Sequence, residues 1–135
     1  MPETLPASVH AFLRDHIESY EQLELLLFLR EHAAVEWGIA DVAERMRLPA
    51  EELEAAARSL LAAGCIAERT EPQRSIRYAP RDEGQSEAID ALAAAYAARP
   101  LAIIKLMNAN AIERVRSAAI DTFADAFVLG RKKDG

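Results

Sequence analysis

When this 135-residue chain is divided into 1–64, 65–81 and 82–135, only the middle segment carries an excess of positive charge: there Arg69, Arg74, Arg77 and Arg81 outnumber Glu68 and Glu71. Guanidinium groups stay protonated and offer paired N–H donors to phosphate oxygens, so such a segment suits contact with a polyanion. The remainder of the chain opposes that chemistry. Residues 1–64 hold 12 acids against 5 bases and residues 82–135 hold 8 against 7, which leaves a formal net charge of −6. Averaged over the surface, a negative charge repels nucleic acid.

Other reactive side chains have spacings that fit ordinary structural roles. Glu51, Glu52 and Glu54 do not form a general acid/base pair, because adjacent helical residues do not face each other and acids suit the positive end of a helix. His10 and His16 are six positions apart, not the three or four that stack two ligands on one helix face, and His32 stands alone. The single cysteine, Cys65, cannot form an internal disulfide; between Gly64 and Ile66 it reads as a small buried residue at the start of a strand. None of the serines lies in a Gly-x-Ser-x-Gly setting, and the five glycines form no phosphate-cradling loop. The chain is therefore read as a non-enzyme with no metal or cofactor.

With 51% hydrophobic residues and 28% charged, the chain has ample material for one core. Its richness in Ala and Leu and its few aromatics favour helices. No apolar run approaches the roughly eighteen residues that cross a bilayer, and Met1–Ala7 lacks the basic start and apolar stretch of an export signal. Together with the lone thiol, these features lead us to expect a cytoplasmic protein without a membrane partner.

The elements that must position the arginines follow from periodicity. Pro6 and Ser8 suggest a helix start, followed by Val9, Phe12, Leu13, Ile17 and Tyr20 at helical spacing. Ser19 with Gln22 matches a capping box and predicts a break near Glu18. Leu23, Leu26, Leu27 and Leu29 carry a strongly apolar helix to about His32, which should sit centrally. After a short extended Val35–Trp37 and Gly38, Ile39, Val42, Ala43 and Met46 mark a helix. Arg47-Leu48 is a tight connection, and Pro49 fits the first turn of the next helix. Leu53, Ala56, Ala57, Leu60 and Leu61 form that helix's inner face, and Gly64 is placed for a left-handed stop. Residues 66–70 and 75–79 read as a hairpin around Glu71-Pro72-Gln73-Arg74. Asp82–Gln85 reads as a polar loop, and Ser86 as the cap of a further helix. Arg99-Pro100 interrupts it. A last helix runs from about Leu101 to Val128, with a bend near Asn108–Asn110 or a short strand at Leu101–Ile104 left open, and 131–135 as a frayed tail.

The stretch Trp37–Leu48, with its continuation Glu51–Ile66 ending Ala62-Ala63-Gly64-Cys65-Ile66 before two strands, resembles the winged helix-turn-helix of bacterial transcriptional regulators, broadly the MarR type. The expected fold class is mainly α with a small β-hairpin wing (α+β). It forms a single domain over 1–135: N-terminal helices at 8–32, helix-turn-helix and wing at 35–81, and a C-terminal helical arm at 86–128. The resemblance implies DNA as partner. The wing residues Arg69, Arg74 and Arg77 would take phosphate or minor-groove contacts, with Arg45, Arg47 and Arg58 around the helix-turn-helix. The outward recognition-helix positions would be Ala50, Glu51, Glu54, Ala55 and Arg58, an acidic start that departs from such regulators. The alternative is a protein–protein interaction module without DNA binding, whose acidic Glu51/Glu52/Glu54 surface meets a protein partner. The resemblance also implies dimerisation through helices outside the wing unit, and Ile112, Val115, Ala119, Phe123 and Phe127 form a stripe suited to a homodimer.

Overall fold

Ser19 starts the central helix by accepting a hydrogen bond from the Gln22 amide at 3.1 Å, while the Gln22 side-chain oxygen accepts from the Glu18 amide at 2.7 Å. This reciprocal cap breaks the chain between α1 (Ala7–His16) and α2 (Tyr20–Glu31). The structure, a computed structural model, describes residues 5–134, with side chains described through Ala124. In α2, Leu23, Leu25, Leu26 and Leu29 are fully buried over most of the helix circumference. The helix is accordingly enclosed, packing most extensively on α4.

Two turns define the next unit. α3 (Ile39–Met46) ends at Arg47, whose left-handed backbone (φ 58°) reverses the chain into α4 (Ala50–Ala62). Pro49 caps α4 from just outside, one residue before the position expected for it. Leu53, Ala56, Ala57 and Leu60 face inward. At the far end Gly64 adopts φ +78°, its amide donates to the Leu61 carbonyl at 3.1 Å, and the Cys65 amide donates to the Leu60 carbonyl at 3.0 Å. This paired stop turns the chain directly into a strand. A side chain at Gly64 would be strained there, and its Cβ would lie 3.3 Å from that of Arg81.

β1 (Ile66–Arg69) and β2 (Ser75–Tyr78) pair antiparallel with Ile66 opposite Tyr78 and Arg69 opposite Ser75. Trp37 joins the other edge of β2 by two backbone hydrogen bonds of 2.8 Å with Ile76. Both backbone groups of Ile76 are thereby spent on Trp37, while the residue lies opposite Glu68 of β1 and its side chain is fully buried. The sequence of helix, short extended segment, two helices and hairpin makes an α+β winged-helix-like arrangement.

Asp82–Gln85 is not a loop. α5 (Glu83–Ala98) begins there, capped by Asp82, which accepts from the Gln85 amide at 2.8 Å. The Gln85 side chain accepts from the Arg81 amide at 2.7 Å and donates to the Ala63 carbonyl at 3.0 Å. Ser86, expected to cap this helix, lies inside it. Asp82 and Gln85 satisfy the orphan amides one turn earlier than Ser86 would. Arg99 breaks the helix before α6 (Pro100–Asp134), which is continuous through Leu101–Ile104 and Asn108–Asn110 and includes 131–134 of the residues expected to fray. Ile103 and Met107 are buried where α6 packs on α1 and α5.

Cys65 is fully buried at the entry to β1, and burial pushes its thiol up to about 11. A thiol reagent should label the folded protein far more slowly than the denatured chain. Between the ordinary thiol value and about 11, the unfolded chain releases this proton and the folded one keeps it. Stability from this group should therefore fall as pH rises through that window, which alkaline denaturant titrations would read. Rapid stoichiometric labelling at neutral pH without loss of structure would contradict this burial.

Candidate nucleic-acid interface

The six arginines singled out in the sequence all lie on the helix-turn-helix and hairpin, and the structure shows what each side chain meets. Arg74, in the turn of the hairpin, reaches α4: its guanidinium bonds Glu54 and also donates to Glu68 at 2.9 Å. Arg58, one turn beyond Glu54, approaches the same carboxylate at 3.8 Å. The hairpin and the exposed side of α4 are thus drawn into one surface. At the other edge, Arg69 and Arg77 share Glu36, at 3.0 and 4.0 Å, and the Ser75 hydroxyl donates to Glu36 at 3.4 Å. Glu36 precedes Trp37, so the bridge between Trp37 and Ile76 sets this carboxylate beside the wing.

Arg45 projects from the last turn of α3 and lies with its guanidinium carbon 5.4 Å from the centre of the Trp37 ring. Phe28 and His32 complete the aromatic group, 5.0 and 5.5 Å from that ring. A cation over an indole face is held by the ring quadrupole, worth about 0.5–1 kcal/mol at an exposed site. Arg47 is exposed at the turn itself. Along α4, Ala50, Glu51, Ala55 and Arg58 are exposed as expected, whereas Glu54 is half-buried beneath Arg74. The hydrogen bond from Arg74 holds the Glu54 carboxyl below the usual carboxylate range.

Four of the six arginines therefore face carboxylates: Arg58 and Arg74 at Glu54, Arg74 also at Glu68, and Arg69 and Arg77 at Glu36. Glu36 and Glu68 escaped the sequence reading as part of this surface. The hairpin register carries a signal for Glu68, but no local pattern ties Glu36 to Arg69 or Glu54 to Arg74. These pairs are substantially exposed, so each contributes roughly 0–1 kcal/mol and exchanges readily with another anion. They nevertheless leave the face close to neutral instead of strongly positive.

The sequence-derived dimer residues lie elsewhere. Ile112, Val115, Ala119 and Phe123 are exposed on α6, while Phe127 lies outside the residues whose side chains are described. A separate cleft of about 520 Å³ opens between α2, the end of α3 and α5, lined by residues that include Tyr20, Glu24, Phe28, Met46 and Tyr96. There the Tyr20 hydroxyl donates to Glu24 at 2.8 Å, and Arg30 on the wall pairs with Asp90 at 2.9 Å. Among the described residues no group of three or more His, Cys, Asp or Glu side chains is arranged to hold a metal, and no helix is long and apolar enough to cross a membrane.

Fold and face together define a winged-helix-like module. No protein-family model, curated protein or solved structure shows a significant match to the chain.

Proposed function

We propose that this chain is a cytoplasmic DNA-binding regulator of winged-helix type, broadly similar to MarR-type regulators, and not an enzyme. The observation that supports this reading most is the junction of wing and α4 through Arg74 and Glu54. Arg58, Arg69, Arg74 and Arg77 belong to the two elements so joined, and these are the elements that a module of this type presents to a duplex. The wing arginines contact phosphates or a narrow minor groove, and Arg47 and Arg58 flank the major-groove approach of α4. Because carboxylates already neutralise most of this charge, non-specific affinity is low and its salt dependence shallow.

Fluorescence anisotropy with labelled duplexes over a salt series tests this reading. Wild type binds at low ionic strength with an affinity that falls as salt rises. Replacing Arg69, Arg74 and Arg77 together by Ala weakens binding at least tenfold and flattens the log–log salt slope by about 0.9 for each phosphate that is no longer neutralised. Glu54→Gln has the opposite effect, since it removes a negative charge facing the backbone and frees Arg58 and Arg74. Absence of any salt-sensitive binding by wild type would sink the reading.

The neutralised arginines favour one rival, a winged-helix module that binds protein. Glu51 and Glu52 at the start of α4 are exposed and would meet a basic partner. Capture that survives nuclease treatment and is abolished in the Glu51→Gln, Glu52→Gln variant would support that rival over DNA binding.

A further inference from the structure

The central helix α2 is buried over most of its circumference, and an arc of about 100° stays open. Tyr20, Glu24, Leu27, Phe28 and Glu31 recur on that arc at steps of three and four, and they line the cleft between α2, the end of α3 and α5. From the opposite side α5 contributes Tyr96 with Ala93 and Ala97, whose small side chains leave the space unfilled. Met46, from the end of α3, adds a polarisable thioether to the wall. The cleft's volume of about 520 Å³ lies inside the roughly 300–1,000 Å³ of small-molecule sites. Its composition fits one as well, with apolar and aromatic walls and a few polar groups.

The charges in this cleft decide what it can hold. Arg30 is the cation of its lining, and its guanidinium Nε is already bonded to Asp90 at 2.9 Å. Glu24 accepts from the neutral Tyr20 hydroxyl at 2.8 Å, and among the described residues no cationic side chain is paired with Glu24 or Glu31. The bond to Glu24 pushes the Tyr20 hydroxyl's pKa up, so Tyr20 stays a neutral donor. An anionic ligand would therefore meet two carboxylates. A cation would meet a carboxylate set among aromatic rings, and Tyr20, 44% exposed, has ring surface to offer. Aromatic quadrupoles and a nearby carboxylate together hold an ammonium group. We infer that the cleft binds an amphipathic organic cation, an ammonium group carried on an aromatic or aliphatic body. The ammonium lies against Glu24 between the rings of Tyr20 and Tyr96, with Glu31 at the rim, and the body covers Leu27, Phe28 and Met46. The inference goes beyond the role of the wing and stands whether the wing binds DNA or protein.

Isothermal titration calorimetry of the full chain tests this with phenethylammonium, benzyltrimethylammonium and hexylammonium chlorides, and with hydrocinnamate as an anion of matching size. At least one of the ammonium ions should bind once per chain, roughly tenfold or more tighter than the carboxylate. Glu24→Gln preserves side-chain size and an acceptor for Tyr20, so its circular dichroism should match wild type. Its ammonium affinity should nevertheless fall by about tenfold. Tyr96→Leu keeps an apolar wall but removes a ring, and should weaken ammonium binding by roughly threefold or more. Glu87→Gln removes the same charge from α5 outside the cleft and should leave the affinity unchanged. The proposal fails if none of the three ammonium ions binds, or if hydrocinnamate binds as tightly as they do. It fails equally if Glu24→Gln retains full affinity, or if Glu87→Gln weakens binding as much as Glu24→Gln.

Discussion

Replacing Ile76 by alanine lowers the free energy of unfolding by about 2–5 kcal/mol, a large share of what a domain of this size possesses. Ile76 is fully buried, and its backbone is paired with Trp37 on one side and lies opposite Glu68 on the other. Truncation leaves a cavity lined by rigid strand and helix, with little freedom to collapse. The backbone hydrogen bonds remain, so the loss is one of packing and not of topology. Urea denaturation should show a lower midpoint with an unchanged slope. A loss below about 0.5 kcal/mol, the range of ordinary surface substitutions, would mean that the hairpin is not anchored on the body as described.

Gln85→Leu should cost nearly as much for a different reason. Gln85 is buried, and its side chain accepts from the Arg81 amide and donates to the Ala63 carbonyl. Leucine fills similar space but abandons both backbone groups, and each unsatisfied buried group costs about 1–3 kcal/mol. Ala63 belongs to the stop of α4 and Arg81 leads out of the wing, so one amide ties both to α5. Gln85→Glu separates packing from hydrogen bonding. Its carboxylate still accepts from Arg81 but faces the Ala63 carbonyl without a proton to donate. Thermal and chemical denaturation of both variants should give losses of similar size. If Gln85→Leu proves neutral, water already satisfies these groups and the tie is not structural.

What could be read from the chain was what is decided within a few residues. The capping of α2 by Ser19 and Gln22, the span of α3 and the Gly64 stop depend on neighbours in sequence, and the structure shows each of them. The start of α5 is equally local but was obscured: the polar run Asp82–Gln85 reads as a loop, while Asp82 and Gln85 in fact form a cap that tolerates Gly84. Leu101–Ile104 was too short an apolar run to assign by periodicity, and its continuity with the rest of α6 decides for helix. The arginines could be located in sequence, but their surroundings could not. Glu54 and Arg74 are brought together by the packing of wing on helix, and Glu36 reaches Arg69 only because Trp37 extends the sheet. A charge count along the chain shows a basic wing; the folded surface shows a nearly balanced one.

Trp37 is the chain's one tryptophan, and its position makes it an optical reporter for the whole recognition unit. Its backbone holds the wing, its ring carries Arg45, and Phe28 of the central helix packs on it edge-on. Separating the hairpin from the body would break the Trp37–Ile76 backbone pairing and admit water beside the indole, shifting its emission to longer wavelength. Helical circular dichroism is dominated by α2, α5 and α6, which can persist through such a local opening. Followed together during denaturation, the two signals distinguish a wing that detaches alone, where emission changes first, from a single cooperative unit, where the transitions coincide.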